Sequence, residues 1–132
     1  MTSLSTELEM LLFSACLYVI QVLVPALEED LKNGIAWGLS NRSNNPSEPT
    51  EWGERAKRAC TNMAENLLPF ACVVIVVQGS GNSGEWSMIG ALVFFYSRLA
   101  HAVLYIAGIT VLRSIAYFGG LFGMAMMIYQ VV

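Results

Sequence analysis

Long runs of apolar residues dominate this chain of 132 residues. Residues 10–27 form an 18-residue run that only Ser14, Gln21 and Pro25 interrupt. A helix of about 20 mainly apolar residues, with a lower limit near 17, crosses the hydrocarbon layer of a bilayer. Charged residues make up 13% of the chain, against about 25% in soluble domains. The sequence therefore predicts an integral membrane protein.

The apolar pattern predicts one all-α domain over residues 1–132, folded as a four-helix transmembrane bundle. We place its helices at about residues 5–33, 54–78, 85–107 and 110–131. A polar linker separates the first two helices. The glycine-rich segment 79–84 joins the second helix to the third, and a tight hairpin near residues 108–110 joins the third to the fourth.

The distribution of charged residues predicts how the helices are oriented in the membrane and argues against some classes of ligand. Of the 17 charged residues, 11 lie between Glu28 and Arg58, and five of those 11 are basic. Because basic residues accumulate on the cytoplasmic side, we expect region 28–58 to be cytoplasmic and both termini to lie outside. The net charge of −3, without a basic stripe, excludes nucleic acid as a partner. Cys16, Cys60 and Cys72 lack metal-ligand spacing, so we expect no metal site.

Polar residues within the predicted helices are the candidates for a functional site, because an ionisable side chain at mid-bilayer costs about 3 kcal/mol. They form three helical stripes, namely Arg55, Arg58, Asn62 and Glu65 on the second helix, Arg98, His101 and Tyr105 on the third, and Arg113 and Tyr117 on the fourth. At 1.5 Å per residue, all three stripes fall in the cytoplasmic half of the membrane. We therefore predict one recess, rich in arginine, that binds an anion.

Each stripe also has a purely structural interpretation. Glu65 and Arg98 could form a buried ion pair, since the two come out at similar depth. Asn62 could bond a neighbouring helix, and His101 could be a packing residue. Basic residues near the membrane surface, such as Lys57, could extend to the lipid headgroups. Gly119 and Gly123, four residues apart, could form a close contact between helices.

The stripes resemble the membrane-associated proteins in eicosanoid and glutathione metabolism, the MAPEG family. The resemblance lies in Glu54-Arg55-x-x-Arg58-Ala59-x-x-Asn62-x-x-Glu65-x-x-x-Pro69-Phe70, Arg98-x-x-His101-x-x-x-Tyr105 and Arg113-Ser114-x-x-Tyr117. In its small size and short loops, the chain is most similar to bacterial members of the microsomal glutathione transferase type. This similarity implies a multi-pass protein of the bacterial inner membrane.

The resemblance implies a homotrimer that binds glutathione, as a co-substrate, between neighbouring protomers on the cytoplasmic side. Residues that resemble glutathione-binding positions are Arg58, Asn62, Glu65 and Tyr105, and the same stripes add Arg55, Arg98 and His101 as binding candidates. Arg113 resembles the arginine beside the thiol, and Tyr105 or Tyr117 could add a hydrogen-bond donor. The second substrate would be a lipophilic electrophile or hydroperoxide from the bilayer, which is a detoxification reaction.

Two other functions stay open, together with one departure from the family pattern. The chain could be a non-catalytic ligand-binding scaffold of the same fold, or a small proton or ion pathway through Glu65, Arg98 and His101. The departure lies in segment 28–30, Glu-Glu-Asp, which stands where eukaryotic members often have a basic helix end that contributes to glutathione binding. Lys32 or Arg42 could take that part.

Overall fold

The computed structural model describes residues 3–44 and 47–132. These residues form the helices α1 (Thr6–Asn33), α2 (Ile35–Gly38), α3 (Glu51–Ser80), α4 (Glu85–Ala107) and α5 (Thr110–Val131). All but α2 are long and apolar enough to cross a membrane. The predicted all-α bundle of four transmembrane helices is therefore confirmed, and these helices indicate a multi-pass membrane protein.

Capping residues and glycines determine where α3 and α4 begin and end. The Thr50 hydroxyl accepts a hydrogen bond from the Gly53 amide at 3.1 Å, which caps the first turn of α3. For this reason α3 begins at Glu51 rather than at the predicted residue 54. Gly81 and Gly108 end α3 and α4 with φ angles of 69° and 79°, a conformation that favours glycine.

Helices α3 and α4 form the centre of the bundle. Each packs against both α1 and α5, whereas α1 and α5 are not neighbouring helices within the described residues. Phe70 of α3 and Phe94 of α4 are fully buried, and their rings stack with centroids 3.8 Å apart. Successive long helices run in opposite directions, so α1 and α4 end where α3 and α5 begin. We call this end of the molecule the site end.

Small residues bring α4 and α5 into close contact. A Cβ atom at Gly123 would lie 2.5 Å from the carbonyl oxygen of Gly90, and one at Gly119 would lie 2.6 Å from Ser97 Oγ. At Gly123 the near atoms belong to the backbone of α4, so a larger side chain would push the helices apart. At Gly119 the near atom is the Ser97 hydroxyl, which would have to rotate away. The packing face predicted at Gly119 and Gly123 is therefore confirmed.

Two buried glutamates attach α1 to the first turns of other helices. Glu28 accepts hydrogen bonds from the amide and hydroxyl of Thr50, at 3.0 and 2.7 Å, where α3 begins. At the opposite end of the bundle, Glu7 accepts from the hydroxyls of Ser83 and Ser87, at 2.6 and 2.5 Å, where α4 begins. Because a helix N-terminus carries partial positive charge, each carboxylate is favourably placed.

The acidic end of α1 pairs with the basic residues nearest to it. Glu29 lies 2.6 Å from Lys57 Nζ and 3.6 Å from Arg42 Nη1, and Glu28 lies 3.8 Å from Lys32 Nζ. Lys32 and Arg42 are the two residues that the sequence offers in place of the basic helix end of eukaryotic family members. In the structure, both lie within ion-pair distance of carboxylates of α1.

Candidate functional site

A polar groove opens at the site end, between the first half of α3 and the end of α4. It has a volume of about 460 Å³ and is lined by Lys57, Arg58, Thr61, Asn62, Glu65 and Tyr105. The α3 residues share one face because they recur every three or four positions. Lys57, Arg58 and Glu65 are exposed. Lys57 Nζ lies 2.6 Å from Glu29 and Arg58 Nη2 lies 3.5 Å from Glu54, so a ligand carboxylate would have to share these cations with the protein's own carboxylates.

The groove contains four of the predicted binding residues and two that were not predicted. Arg58, Asn62 and Glu65 come from α3, and Tyr105 comes from α4. Lys57 and Thr61 are the additions. The signal was present in the sequence, since positions 57, 61 and 65 lie four residues apart on one helical face. Lys57 was not predicted as a binding residue, because a lysine near the membrane surface is also typical of a residue that extends to the lipid headgroups.

Arg98 lies behind the groove rather than in its wall. Its side chain is 1% exposed, and Nη1 donates a hydrogen bond to Asn62 Oδ1 at 2.9 Å. Arginine has donors only, so the amide oxygen of Asn62 must face Arg98. The amino group of Asn62 is therefore turned away from Arg98. In this way Arg98 fixes which end of the Asn62 amide a ligand in the groove can meet.

The buried ion pair considered for Glu65 and Arg98 does not form. Glu65 lines the groove and is exposed, while Arg98 bonds Asn62. Among the described residues, Nε and Nη2 of Arg98 have no hydrogen-bond partner. The ring of Tyr117 offers partial compensation, since its centroid lies 5.3 Å from the guanidinium carbon. A buried cation with so few partners favours an anion nearby.

Aromatic residues connect Arg98 to Arg113 across α4 and α5. The His101 ring centroid lies 6.3 Å from that of Tyr117 and 5.4 Å from that of Tyr105. The Arg113 guanidinium carbon lies over the Tyr105 ring, 4.3 Å from its centroid. Of these five residues, Tyr105 lines the groove. Arg113 lies against the ring of Tyr105 without lining the groove itself, and His101 and Tyr117 are also not among the lining residues.

Arg55 does not join the groove, although its position in the stripe predicts a binding residue. Its Nε donates to the carbonyl oxygen of Ile106 at 3.0 Å, and its Nη1 lies 3.8 Å from Glu51. The side chain therefore joins the first turn of α3 to the last turn of α4. Its role in this structure is to hold the two walls of the groove together.

The groove can bind a ligand that carries both signs of charge. Lys57 and Arg58 offer cationic donors to carboxylates, and Glu65 offers an acceptor to an ammonium group. Asn62 and Thr61 lie between these charges and suit the polar groups of a peptide bond. The described residues hold no cluster of three or more histidines, cysteines, aspartates or glutamates that could bind a metal ion.

Comparison with known proteins gives one family. The model of the MAPEG family matches residues 9–132, nearly the whole chain. The match includes every residue of the groove and of the three motifs, so the resemblance inferred from those motifs is confirmed. A search of curated proteins finds no match.

Proposed function

Because the chain belongs to the MAPEG family, we propose that it binds glutathione in the polar groove and activates it as a thiolate for reaction with lipophilic molecules. The observation that carries this proposal is the order of charges along the groove. Cationic Lys57 and Arg58 stand at one end, anionic Glu65 at the other, and neutral polar groups lie between them.

Glutathione matches this order in charge and in length. It is a tripeptide with a carboxylate at each end, and an ammonium group beside one of them. From position 57 to position 65 the helix rises about 12 Å at 1.5 Å per residue, and an extended tripeptide spans about 10 Å. Lys57 and Arg58 bind the glycine carboxylate, and Glu65 binds the ammonium. Arg98 holds the amide oxygen of Asn62, and the side-chain NH2 of Asn62 donates a hydrogen bond to a peptide carbonyl in the middle of glutathione.

Arg113 is the residue we assign to the thiol. An ordinary thiol has a pKa near 8.5 and is mostly protonated at neutral pH. Lowering this pKa by about two units needs about 2.7 kcal/mol in favour of the thiolate, which a close guanidinium can supply. Arg113 stays charged and does not compete as a nucleophile. The phenol of Tyr105, beneath its guanidinium, adds a donor at the edge of the groove.

The thiolate then reacts with a molecule that arrives from the bilayer. With an electrophile, sulfur forms a bond to carbon, and the leaving group departs with the bonding electrons. With a lipid hydroperoxide, sulfur attacks the terminal oxygen and the O–O bond breaks, which gives an alcohol after protonation and glutathione sulfenic acid. A second glutathione reduces the sulfenic acid and yields the disulfide and water.

A homotrimer is part of the proposal, because the groove between α3 and α4 of one chain is open on its outer side. The groove lies on the side of the bundle, and its charged residues are exposed there. A neighbouring protomer would close the open side and exclude water from the thiolate. An ion pathway is less well supported, because Glu65 faces the groove at the side while Arg98 and His101 are buried behind it.

Glu65→Gln tests the binding mode directly. Removing the charge that meets the ammonium should weaken glutathione binding at least ten-fold, since a charged hydrogen bond contributes about 1.5–3 kcal/mol. Isothermal titration calorimetry on detergent-purified protein measures this affinity. Glu85→Gln, an exposed glutamate at the opposite end of the bundle, is the matched control and should bind like wild type.

Three outcomes separate the alternatives. Glutathione binding with turnover of small electrophiles or lipid hydroperoxides supports the enzyme. Binding without turnover against such a panel supports the non-catalytic scaffold and contradicts the catalytic step. If the unaltered protein binds no glutathione, or if Glu65→Gln binds it as tightly as Glu85→Gln does, the assignment of the groove is wrong.

A further inference from the structure

Three apolar side chains near the end of α1 are almost fully exposed in the described part of the chain. Leu31 lies in the last turn of α1, Ile35 at the start of α2 and Leu39 directly after α2, and the three are 85%, 75% and 85% exposed. We call these residues the apolar ridge. Large aliphatic side chains so fully exposed are costly in water, so the ridge is a candidate contact surface.

The polar side of the same segment is already occupied within the chain. Arg42 lies 3.6 Å from Glu29 and 3.8 Å from Asp30, and its Nε donates to the Gly38 carbonyl at 3.3 Å. Its guanidinium also lies 5.5 Å from the ring centroid of Trp37. These contacts fold the linker back on the acidic end of α1. The segment therefore holds its polar groups inward and leaves its apolar groups outward.

The ridge continues an exposed apolar surface of α1. Ile20, Leu23 and Leu27 are exposed on the membrane-spanning part of this helix, and spacings of three and four residues place them on the same side as Leu31. From Leu27, where the apolar run ends, to Leu31 the helix rises about 6 Å. Amphipathic segments in the boundary between headgroups and acyl chains bury their apolar side by about 5–10 Å.

We infer that the apolar ridge inserts into this boundary layer of the bilayer at the site end, so that segment 31–39 lies on the membrane surface. Gly34, with a φ of 90°, provides the bend between the spanning helix and this surface segment. Glu29, beside the ridge, lies 2.6 Å from Lys57 of the polar groove. Insertion of the ridge would therefore keep the Lys57 end of the groove near the headgroups. The inference stands independently of what the groove binds.

Fluorescent labelling in vesicles tests the position of the ridge. Cys16, Cys60 and Cys72 are first replaced by serine, alanine and serine, and retained folding is checked by circular dichroism and gel filtration. Ile35→Cys and Leu39→Cys are then labelled separately with an environment-sensitive nitrobenzoxadiazole dye. Asn41→Cys, an exposed position in the same linker, is the control. The vesicles contain phosphatidylcholine and phosphatidylglycerol.

We expect blue-shifted emission at positions 35 and 39, quenching by lipids spin-labelled near the headgroup, and protection from aqueous iodide. The dye at position 41 should be quenched by iodide. Two results would overturn the inference. Iodide quenching at positions 35 and 39 equal to that at 41 would place the ridge in water. Blue-shifted emission that neither quencher affects would mean that protein, such as a second copy of the chain, covers the ridge.

Discussion

A single hydrogen bond connects the buried cation of this protein to its exposed groove. Arg98 Nη1 meets Asn62 Oδ1 at 2.9 Å, and the bond determines that the Asn62 amino group is available to a ligand. Arg98 is therefore a positioning residue, and its effect on the ligand passes through Asn62. Such a pair behaves as a unit when it is mutated.

A double-mutant cycle on this pair separates positioning from direct contact. Asn62→Ala and Arg98→Met should each weaken glutathione binding about ten-fold, which corresponds to about 1.4 kcal/mol. The double variant should also lose about ten-fold, because Arg98 has nothing left to orient once Asn62 is absent. Titration calorimetry gives the four affinities. A loss near one hundred-fold in the double variant would show that Arg98 acts separately from Asn62.

The spacing of residues in the sequence predicts part of this site and leaves the rest open. Helical periodicity alone places Arg58, Asn62 and Glu65 on one face of α3. Periodicity does not fix how α4 is rotated against α3, and this rotation decides that Arg98 bonds Asn62 rather than Glu65. Periodicity also does not predict that Arg55 donates a hydrogen bond to the carbonyl of Ile106, 51 positions away.

At the level of helices, the membrane makes most of the fold predictable. A segment surrounded by lipid must satisfy its backbone hydrogen bonds internally, so a long apolar run implies a helix. Gly81 and Gly108 mark the ends of α3 and α4, because glycine readily adopts the positive φ angle that ends a helix. The start of α3 is different, because the Thr50 residue that caps it is itself held by Glu28, 22 positions away.

Glu28→Ala tests how strongly α1 holds the start of α3. Loss of the carboxylate leaves the Thr50 amide and hydroxyl without their acceptor, which should cost about 1–3 kcal/mol of stability. Thermal unfolding in detergent should show a midpoint lower by several degrees. Glu48→Ala, at an exposed glutamate in the linker that precedes α3, should leave the midpoint unchanged. Equal midpoints for the two variants would mean that the Glu28 contact contributes nothing.

At the level of the whole molecule, the sequence does not distinguish an apolar surface that faces lipid from one that would face a second protein chain. Both are apolar, and exposed large side chains occur on all four long helices. The polar groove is the exception, since exposed charges on the side of a membrane helix are costly in contact with lipid. A neighbouring protomer and a bound peptide would both relieve that cost.

Native mass spectrometry of the detergent-released protein tests the assembly. We expect a homotrimer, with a mass near three times the 14.4 kDa of the chain. Glutathione should bind in a ratio of up to one molecule per protomer. A monomer that binds glutathione with full affinity would show that the groove is complete by itself and that the trimer is unnecessary.

The protonation state of bound glutathione tests the proposed chemistry most directly. Ultraviolet absorbance of the thiolate, followed during a pH titration of the glutathione complex, gives the pKa of the bound thiol. We predict a pKa about two units below that of free glutathione, and a return to the free value in Arg113→Leu with glutathione still bound. A bound thiol that titrates like free glutathione, or a lowered pKa that survives Arg113→Leu, would contradict thiolate activation by Arg113.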